Sequence, residues 1–597
     1  MTEVWERARE ALERGISAPK LEGLHLDFKT DKGDFKATAA DVAEAAVCFA
    51  NASGGTIILG VSDRACRDEA FPGTLVDAED LRSKIHELTK PSLTVTVTVV
   101  SHAGATILVI DVPEGLEVYS TSKGAYSRRW ADTCRPMTPT EVSRLNDERR
   151  GNDWSAGPSG HGCDEADPLA IEIMRDLLRS TGDEARITLA SRPSRDLLSA
   201  LELVRDDGML NRAGALLTVR NRSFGPRELA VYQHRKSLSG EIDAARRWTE
   251  PVVITFSEIL ESITVRVTSS PLTLRNGQQI ILEDFPAIAV REAIANALTH
   301  RDYVVEAPVS IIHSQDQLSV TSPGPLVNGV TPENFLSRGT KPRYPTLARA
   351  FNRLGWVEYL GQGFNRIFRA MASTGRPLPT LLETPHDVTL VLSGKAPDLR
   401  VARLVADLPD RYREDTNALL ILTRLCEKRT VTAPQLCATL QRDLSTTENV
   451  LRALTVSEVA LLESTAGTKN RRNPNYRLQS HVLAQLGNAV SYYSHPGPTA
   501  ERKIVDHLRE YGSINSATVQ RMLDVDVYAA RDILRDLTTR NIIVRTSSQT
   551  RGTAVKYGPG TAFLWDGSRK AKRRKSQSDS ADVEKVSGVI RGEVPLF

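Results

Sequence analysis

The chain has 597 residues, 40% of them hydrophobic and 25% charged, with a formal net charge of +3. That length exceeds what one core supports, so about four domains are expected, and the near-neutral charge excludes a uniformly basic coat while leaving room for local basic patches. Cys48, Cys66, Cys134, Cys163, Cys426 and Cys437 are scattered without a CxxC pair, a usage that supports neither a disulfide framework nor a zinc site and fits a reducing, cytoplasmic compartment.

Taken in order, MTEVWERAREALERG lacks an apolar signal core, and residues 1–20 read as one amphipathic helix stopped near Gly15. No run approaches the roughly 20 apolar residues that span a bilayer, so no membrane partner is expected. Across 21–150, LHLDFK is strand-like, ADVAEAAVCFAN helical and TIILGVSD a buried strand, with LTVTVTVV and ATILVIDV as two more strands. This first domain is given the bounds 1–150. GNDWSAGPSGHGCDEADP (151–168), rich in Gly, Ser, Asp and Pro, reads as a linker.

A second mixed domain follows at 169–395. It has helical patterns at 169–180 and 194–206, strands at AGALLTV and ELAVYQH, and the helix PAIAVREAIANALTHRDY. A strand pair around VSIIHSQDQLSVTSPG precedes the helices YPTLARAFNRLG and GFNRIFRAMAS. Residues 401–480 and 498–562 each pair helical segments with a short, basic, β-prone stretch, and the charged tail 563–597 is expected to be disordered.

Three pieces of the first domain carry chemistry: Glu22-Gly-Leu-His-Leu-Asp27-Phe-Lys29, FANASGGTIILGVSD (49–63) and AYSRRWADTCRPMTPTEVSRL (125–145). Arg128 and Arg129 lie beside aromatic rings, a combination suited to phosphates and stacked bases, and Lys29 adds a third cation. In this order the pieces resemble the Schlafen AlbA-like domain. That resemblance implies nucleic-acid binding and, in some relatives, a metal-assisted ribonuclease built on three carboxylates, which map here to Glu22, Asp27 and Asp63.

In the second domain Glu292 and Asn296 stand four residues apart on one helical face. The amide oxygen of Asn296 suits a Mg²⁺ ion bridging phosphates, Glu292 suits polarising a water, and His300 and Arg301 at the helix end suit phosphate. Gly361 and Gly363 precede a helix, where bare N–H groups can cradle phosphates. REAIANALTHRDY, SPGPL and EYLGQG together resemble the GHKL ATPase fold and, more closely, the RecG-like regulators in which this domain follows a Schlafen AlbA-like one. The resemblance implies a nucleotide site that takes in Ser322 and Gly324, with ATP and Mg²⁺ as cofactors. Ser322 stands where GHKL enzymes carry the Asp that reads the adenine amino group, which bears on turnover. No G-x(4)-G-K-[ST] loop is present, which excludes a helicase of that type.

Between 500 and 558 three helical segments precede two short strands, the plan of a winged helix-turn-helix, with Arg531 and Arg535 on the third helix and Arg551 and Lys556 in the wing. Residues 416–478 repeat it less clearly, with Lys469, Arg471 and Arg472 in the wing. The expected fold is a multidomain α+β chain: a Schlafen AlbA-like α/β domain, a GHKL-like α/β sandwich and C-terminal winged helices. The expected function is a cytoplasmic, ATP-binding, DNA-binding transcriptional regulator, a homo-oligomer with a nucleotide switch. The alternative is a Schlafen-type metal-dependent ribonuclease, with RNA as partner and a role in phage defence; a weak ATPase based on Glu292 stays open.

Overall fold

The computed structural model describes residues 2–62, 65–274, 276–327, 329–339, 341–357, 361–456, 459–490, 500–523, 527–547, 549 and 555–563. It divides into two compact units, Met1–Thr423 with Leu436–Thr447, and Arg424–Gln435 with Glu448–Phe597. Among the described residues no helix is long and apolar enough to cross a membrane.

The first unit opens on α1 (Thr2–Glu13), beyond which Gly15 takes φ 92°. Trp5, Ala8 and Leu12 recur at helical spacing and are buried, so one stripe of α1 closes a small core with Phe28 and Ile58. Then come β1 (Leu26–Lys29), α2 (Phe35–Ala50), β2 (Gly55–Leu59), α3 (Ala78–Leu88), β3 (Thr96–His102) and β4 (Ala105–Val112). The four strands form one sheet in the order β1-β2-β4-β3, with β1 parallel to β2 and the other pairs antiparallel. Asp34 caps α2 by accepting from Ala37 N, and the small side chains of α2 let it lie close on the sheet.

Gly54 turns the chain from α2 into β2 at φ 72°, and a Cβ there would stand 2.7 Å from the Val112 carbonyl oxygen. Gly54→Ala is therefore expected to cost about 2 kcal/mol of stability or more, read by urea unfolding. A hairpin, β5 (Ser127–Trp130) with β6 (Thr133–Pro136), leads into α4 (Pro139–Arg150), which begins with a Thr138–Glu141 capping box. Cys48 of α2 and Cys134 of β6 are joined as a disulfide. This corrects the sequence reading, which found no disulfide: the partners are 86 residues apart and only the fold brings them together.

Residues 151–168 are not a loose linker. Trp154 stacks on Tyr303 at 6.3 Å, Ser159 Oγ donates to the Leu210 carbonyl at 2.6 Å, and Asp153 accepts from Thr346 N at 2.6 Å. AGALLTV, expected as a strand, lies in the helix Arg212–Thr218, capped by the Asn211 side chain accepting from Gly214 N.

The chain continues through α5 (Pro168–Ser180), which precedes that helix, and then β7 (Ala230–Arg235), β8 (Ile242–Trp248), α6 (Val252–Thr264), β9 (Ser269–Thr273) and β10 (Gln279–Glu283). There follow α7 (Ala287–His300), β11 (Val309–His313), β12 (Gln317–Pro323), α8 (Pro345–Arg353), α9 (Gly363–Ser373), β13 (Thr380–Glu383) and β14 (Asp387–Ser393). Six of these strands form a sheet in the order β8-β7-β11-β12-β14-β13, parallel between β7 and β11 and antiparallel elsewhere. One apolar core joins Ile294 and Leu298 of α7 to Val320 of β12, Met371 of α9 and Leu390 of β14.

Next in the chain are α10 (Thr416–Glu427), α11 (Ala433–Leu440), α12 (Leu444–Val456), β15 (Leu462–Ser464) and β16 (Tyr476–Leu478). The order recurs in α13 (Ala500–Tyr511), α14 (Ser516–Leu523), α15 (Val527–Thr539), β17 (Ile543–Arg545) and β18 (Tyr557–Pro559). Each series ends in an antiparallel strand pair, and a residue between its first two helices bridges the last strand: Val431 to Tyr476, and Ile514 to Tyr557. Ile504, Leu508, Val519, Leu534 and Ile543 bury a core of their own in the second unit.

Candidate functional site

Val290, Ile294 and Leu298 bury one side of α7, which turns Glu292, Asn296 and His300 toward a pocket. An aliphatic wall faces them, with Val320 of β12, Leu381 of β13 and Val388 and Leu390 of β14. The pocket also takes in Ser322, Gly324 and, at the start of α9, Gly361, Gly363 and Phe364. Gln362 gives α9 no side-chain cap, so its first N–H groups remain suited to an anion. A Cβ on Gly363 would stand 3.0 Å from Glu292 Oε2 and 3.1 Å from both amide atoms of Asn296, so glycine there keeps the cradle open.

The Asn296 amide nitrogen and His300 Nδ1 are buried and have no hydrogen-bond partner among the described residues. Burial, aided by the charge of Arg343, pushes the His300 imidazole down to about 4, so it is neutral at pH 7. An orphaned amide nitrogen, a donor, beside a bare helix start fits phosphate oxygens, which the α9 N–H groups could also hold, while the Asn296 oxygen is the atom that could hold Mg²⁺. Glu292 is differently placed. Its side chain is 2% exposed and accepts from Arg366 of α9 at 2.9 Å, which makes it a latch between two helices rather than a base free to take a proton. Ser322 Oγ donates to the Ala297 carbonyl at 2.9 Å, so its hydrogen is already committed.

Arg301 does not reach the pocket, which corrects its expected role. It is fully buried and donates to the carbonyls of Leu229, Val305 and Ala307, tying the end of α7 to the sheet. The next residue, Asp302, is the hub of a buried charged network. It accepts from Tyr344 Oη at 2.9 Å and pairs with Arg144 of α4 at 2.9 Å, while Arg343 pairs with Glu148 of α4 at 2.9 Å. Arg343 also donates to Pro325 O at 2.7 Å and His300 O at 3.5 Å, so two ion pairs join α4 to the pocket wall.

In the N-terminal sheet the expected nucleic-acid cations are largely engaged. Asp27 is 3% exposed and pairs with Lys29 at 2.7 Å and with Arg129 at 3.1 Å. Arg129 also donates to Gly23 O and Leu26 O and lies over the Phe49 ring, so it ties β5 to β1 and is closed to a phosphate. Arg128 is half-buried, its acidity raised by burial against the opposing charges of Glu148, Glu383 and Glu141. Glu22 accepts from Phe28 N at 3.4 Å, and burial, with Asp27 nearby, holds its carboxyl above the usual range. Asp27 is thus held by two cations, and Asp63 lies outside the described residues. Among the described residues no group of three His, Cys, Asp or Glu is placed to hold a metal.

Lys469, Arg471 and Arg472 are exposed between β15 and β16, Arg531 and Arg535 are exposed on α15, and Lys556 is exposed beside β18. Arg551 lies outside the described residues. Arg338 and Lys341 line the pocket and escaped the sequence reading, as did Arg343. The signal available was SRGTKPR (337–343), three cations around a glycine and a proline.

Fold and site together define a multidomain α+β protein in which an α/β module precedes a pocket-bearing domain. Residues 22–138 match the family described as Schlafen, AlbA_2, and residues 306–392 match the one described as "Putative ATP-dependent DNA helicase recG C-terminal". The chain carries a domain of each kind. The second match begins beyond α7, so it covers the sheet wall of the pocket and not Glu292, Asn296 or His300. Among solved structures, the DIP2311 protein of Corynebacterium diphtheriae is 23% identical at a TM-score of 0.49, over 81% of this chain and 99% of that one. The N-terminal domain of a RecG-related protein from Nitrosomonas europaea is 23% identical at a TM-score of 0.14, over 18% of this chain and 72% of that one. No curated protein matches the chain.

Proposed function

We propose that the chain is an ATP-binding, nucleic-acid-binding transcriptional regulator in which the GHKL-like pocket is the switch. The observation that carries this reading is the meeting of the unpartnered Asn296 amide with the uncapped start of α9 at Gly363, opposite an aliphatic wall suited to a base. Bound Mg²⁺ would neutralise phosphate charge. Asn296 would hold it through its side-chain oxygen, the α9 N–H groups would hold the phosphates, and the wall of Val320, Val388 and Leu390 would exclude water from the ring. Glu292, tied to Arg366, favours occupancy over turnover.

The two helix–helix–helix–strand–strand series act as winged helices, with Lys469, Arg471, Arg472 and Lys556 toward phosphates and Arg531 and Arg535 toward the groove. A homodimer would set such elements on paired half-sites. The carboxylate ribonuclease reading is set aside because Lys29 and Arg129 already neutralise Asp27.

Two measurements test this. Titration calorimetry with ATP and Mg²⁺ should show binding that Asn296→Ala weakens about tenfold, close to 1.4 kcal/mol; unchanged affinity in the variant, or no binding by the wild type, sinks the nucleotide switch. Duplex DNA should bind with an affinity that falls steeply with salt and is lost on truncation at 400. Cleavage of tRNA in Mn²⁺ would restore the enzyme.

A further inference from the structure

Resting on the nucleotide reading, we infer that Arg338 and Lys341 are the phosphate-reading end of the pocket, and that Arg338 is exchanged between the ligand's phosphates and Glu114 of the N-terminal domain. The pocket is chemically two-sided. One wall is aliphatic, while the segment carrying Arg338 and Lys341 supplies two cations. That segment is fastened to the start of α9: Phe335 packs edge-on against Phe364 at 4.9 Å, and the Asn365 amide donates to Leu336 O at 3.3 Å. The cations are thereby held beside the helix start whose N–H groups suit an anion. A ligand that satisfies both sides has a flat apolar body and a polyanionic tail, and each added phosphate gains from the cationic side alone.

Arg338 has a built berth. Gly329, at φ 87°, lies directly beneath the guanidinium, where a Cβ would stand 2.5 Å from Arg338 Cζ. From there it pairs with Glu114 at 3.6 Å, a distance and a solvent exposure that make the contact weak and breakable. Glu114 follows β4 in the loop packed on Gly54, so the pair joins the pocket rim to the glycine turn of the AlbA-like domain. A triphosphate within reach of Arg338 outcompetes one distant carboxylate. By linkage, the factor by which the Arg338–Glu114 pair weakens phosphate binding equals the factor by which bound phosphate weakens the pair, so breaking the pair relieves that much competition and no more.

The test compares ATP, ADP and adenosine by calorimetry on the full chain. Arg338→Ala and Lys341→Ala should each weaken ATP about tenfold, ADP less, and adenosine not at all. Glu114→Gln should tighten ATP about threefold, and this gain should vanish in the Arg338→Ala background. Arg338→Gln, which keeps much of the stem, should match Arg338→Ala. Equal weakening of ATP and adenosine overturns the phosphate role while leaving the nucleotide pocket standing. An unchanged ATP affinity in Glu114→Gln overturns the exchange. Failure of all three ligands to bind the wild type removes both the inference and the reading beneath it.

Discussion

Arg343→Ala is expected to cost about 3–5 kcal/mol of stability, the range for breaking a buried ion pair by removing one partner. Arg343 is 6% exposed, and its guanidinium meets Glu148, Pro325 O and His300 O, with Asp302 at 4.0 Å. Without it, Glu148 keeps its charge in a largely closed site and two backbone carbonyls lose their donor. Arg343→Lys should recover only part of the loss, because an ammonium cannot span three acceptors in a planar fork. Urea unfolding followed by circular dichroism reads the difference. A loss below about 1 kcal/mol would mean that water reaches these groups and that the pairs behave as surface bridges.

The second large effect is a fall in stability between pH 6.5 and 4. Burial holds His300 at about 4, and burial together with the charges of His234 and Arg266 holds His313 at about 4, both against an ordinary 6.5. The unfolded chain binds protons that the folded chain refuses in that window, so stability rises with pH through it and is complete above 6.5. At about 1.4 kcal/mol per pH unit, each histidine costs about 3 kcal/mol once the pH falls below 4. Glu383 works the other way. Burial raises it to about 7, so it favours the folded state as pH falls from 7 toward its unfolded value of 4.5. Glu22, also raised by burial, works in the same direction as Glu383, and the two histidines outweigh them to leave a net loss. Asp31, Asp167 and Glu202 lie below their ordinary values and add their own losses in more acidic solution. The melting temperature should drop steadily from pH 6.5 to 5, with the slope reduced in His300→Gln and in His313→Gln. A flat profile in the wild type would show that both rings are reached by solvent.

How much of this could be read in the sequence depended on how local its cause is. Glu292, Asn296 and His300 repeat at the period of a helix, and Gly361 and Gly363 sit just before another, so these two parts of the lining could be read from spacing, while Ser322 and Gly324 entered only through the family resemblance. AGALLTV was not. A short apolar run fits strand and helix equally, and the Asn211 cap with an Ala/Leu-rich run decides for the helix. Arg301 and Arg129 misled because a basic residue beside a motif looks the same in sequence whether it faces phosphate or a ring of carbonyls. The Cys48–Cys134 link, the Glu148–Arg343 pair and the Arg338–Glu114 pair join residues far apart in the chain, and no periodicity encodes such pairings.

The strand order of the second sheet also sets a timetable. β7 pairs with β11 across three intervening strands and two helices, and β14 must slot between β12 and β13 before the pocket has its far wall. Such non-local pairings are slow to form. The N-terminal strands, by contrast, are all synthesised before Gly151 emerges from the ribosome. During synthesis the first module should therefore stand folded, with Arg144 and Glu148 still facing water, until the chain beyond Ser393 is released. A nascent chain stalled before that residue would expose the aliphatic strands of an unfinished sheet, and chaperone capture should be greatest there.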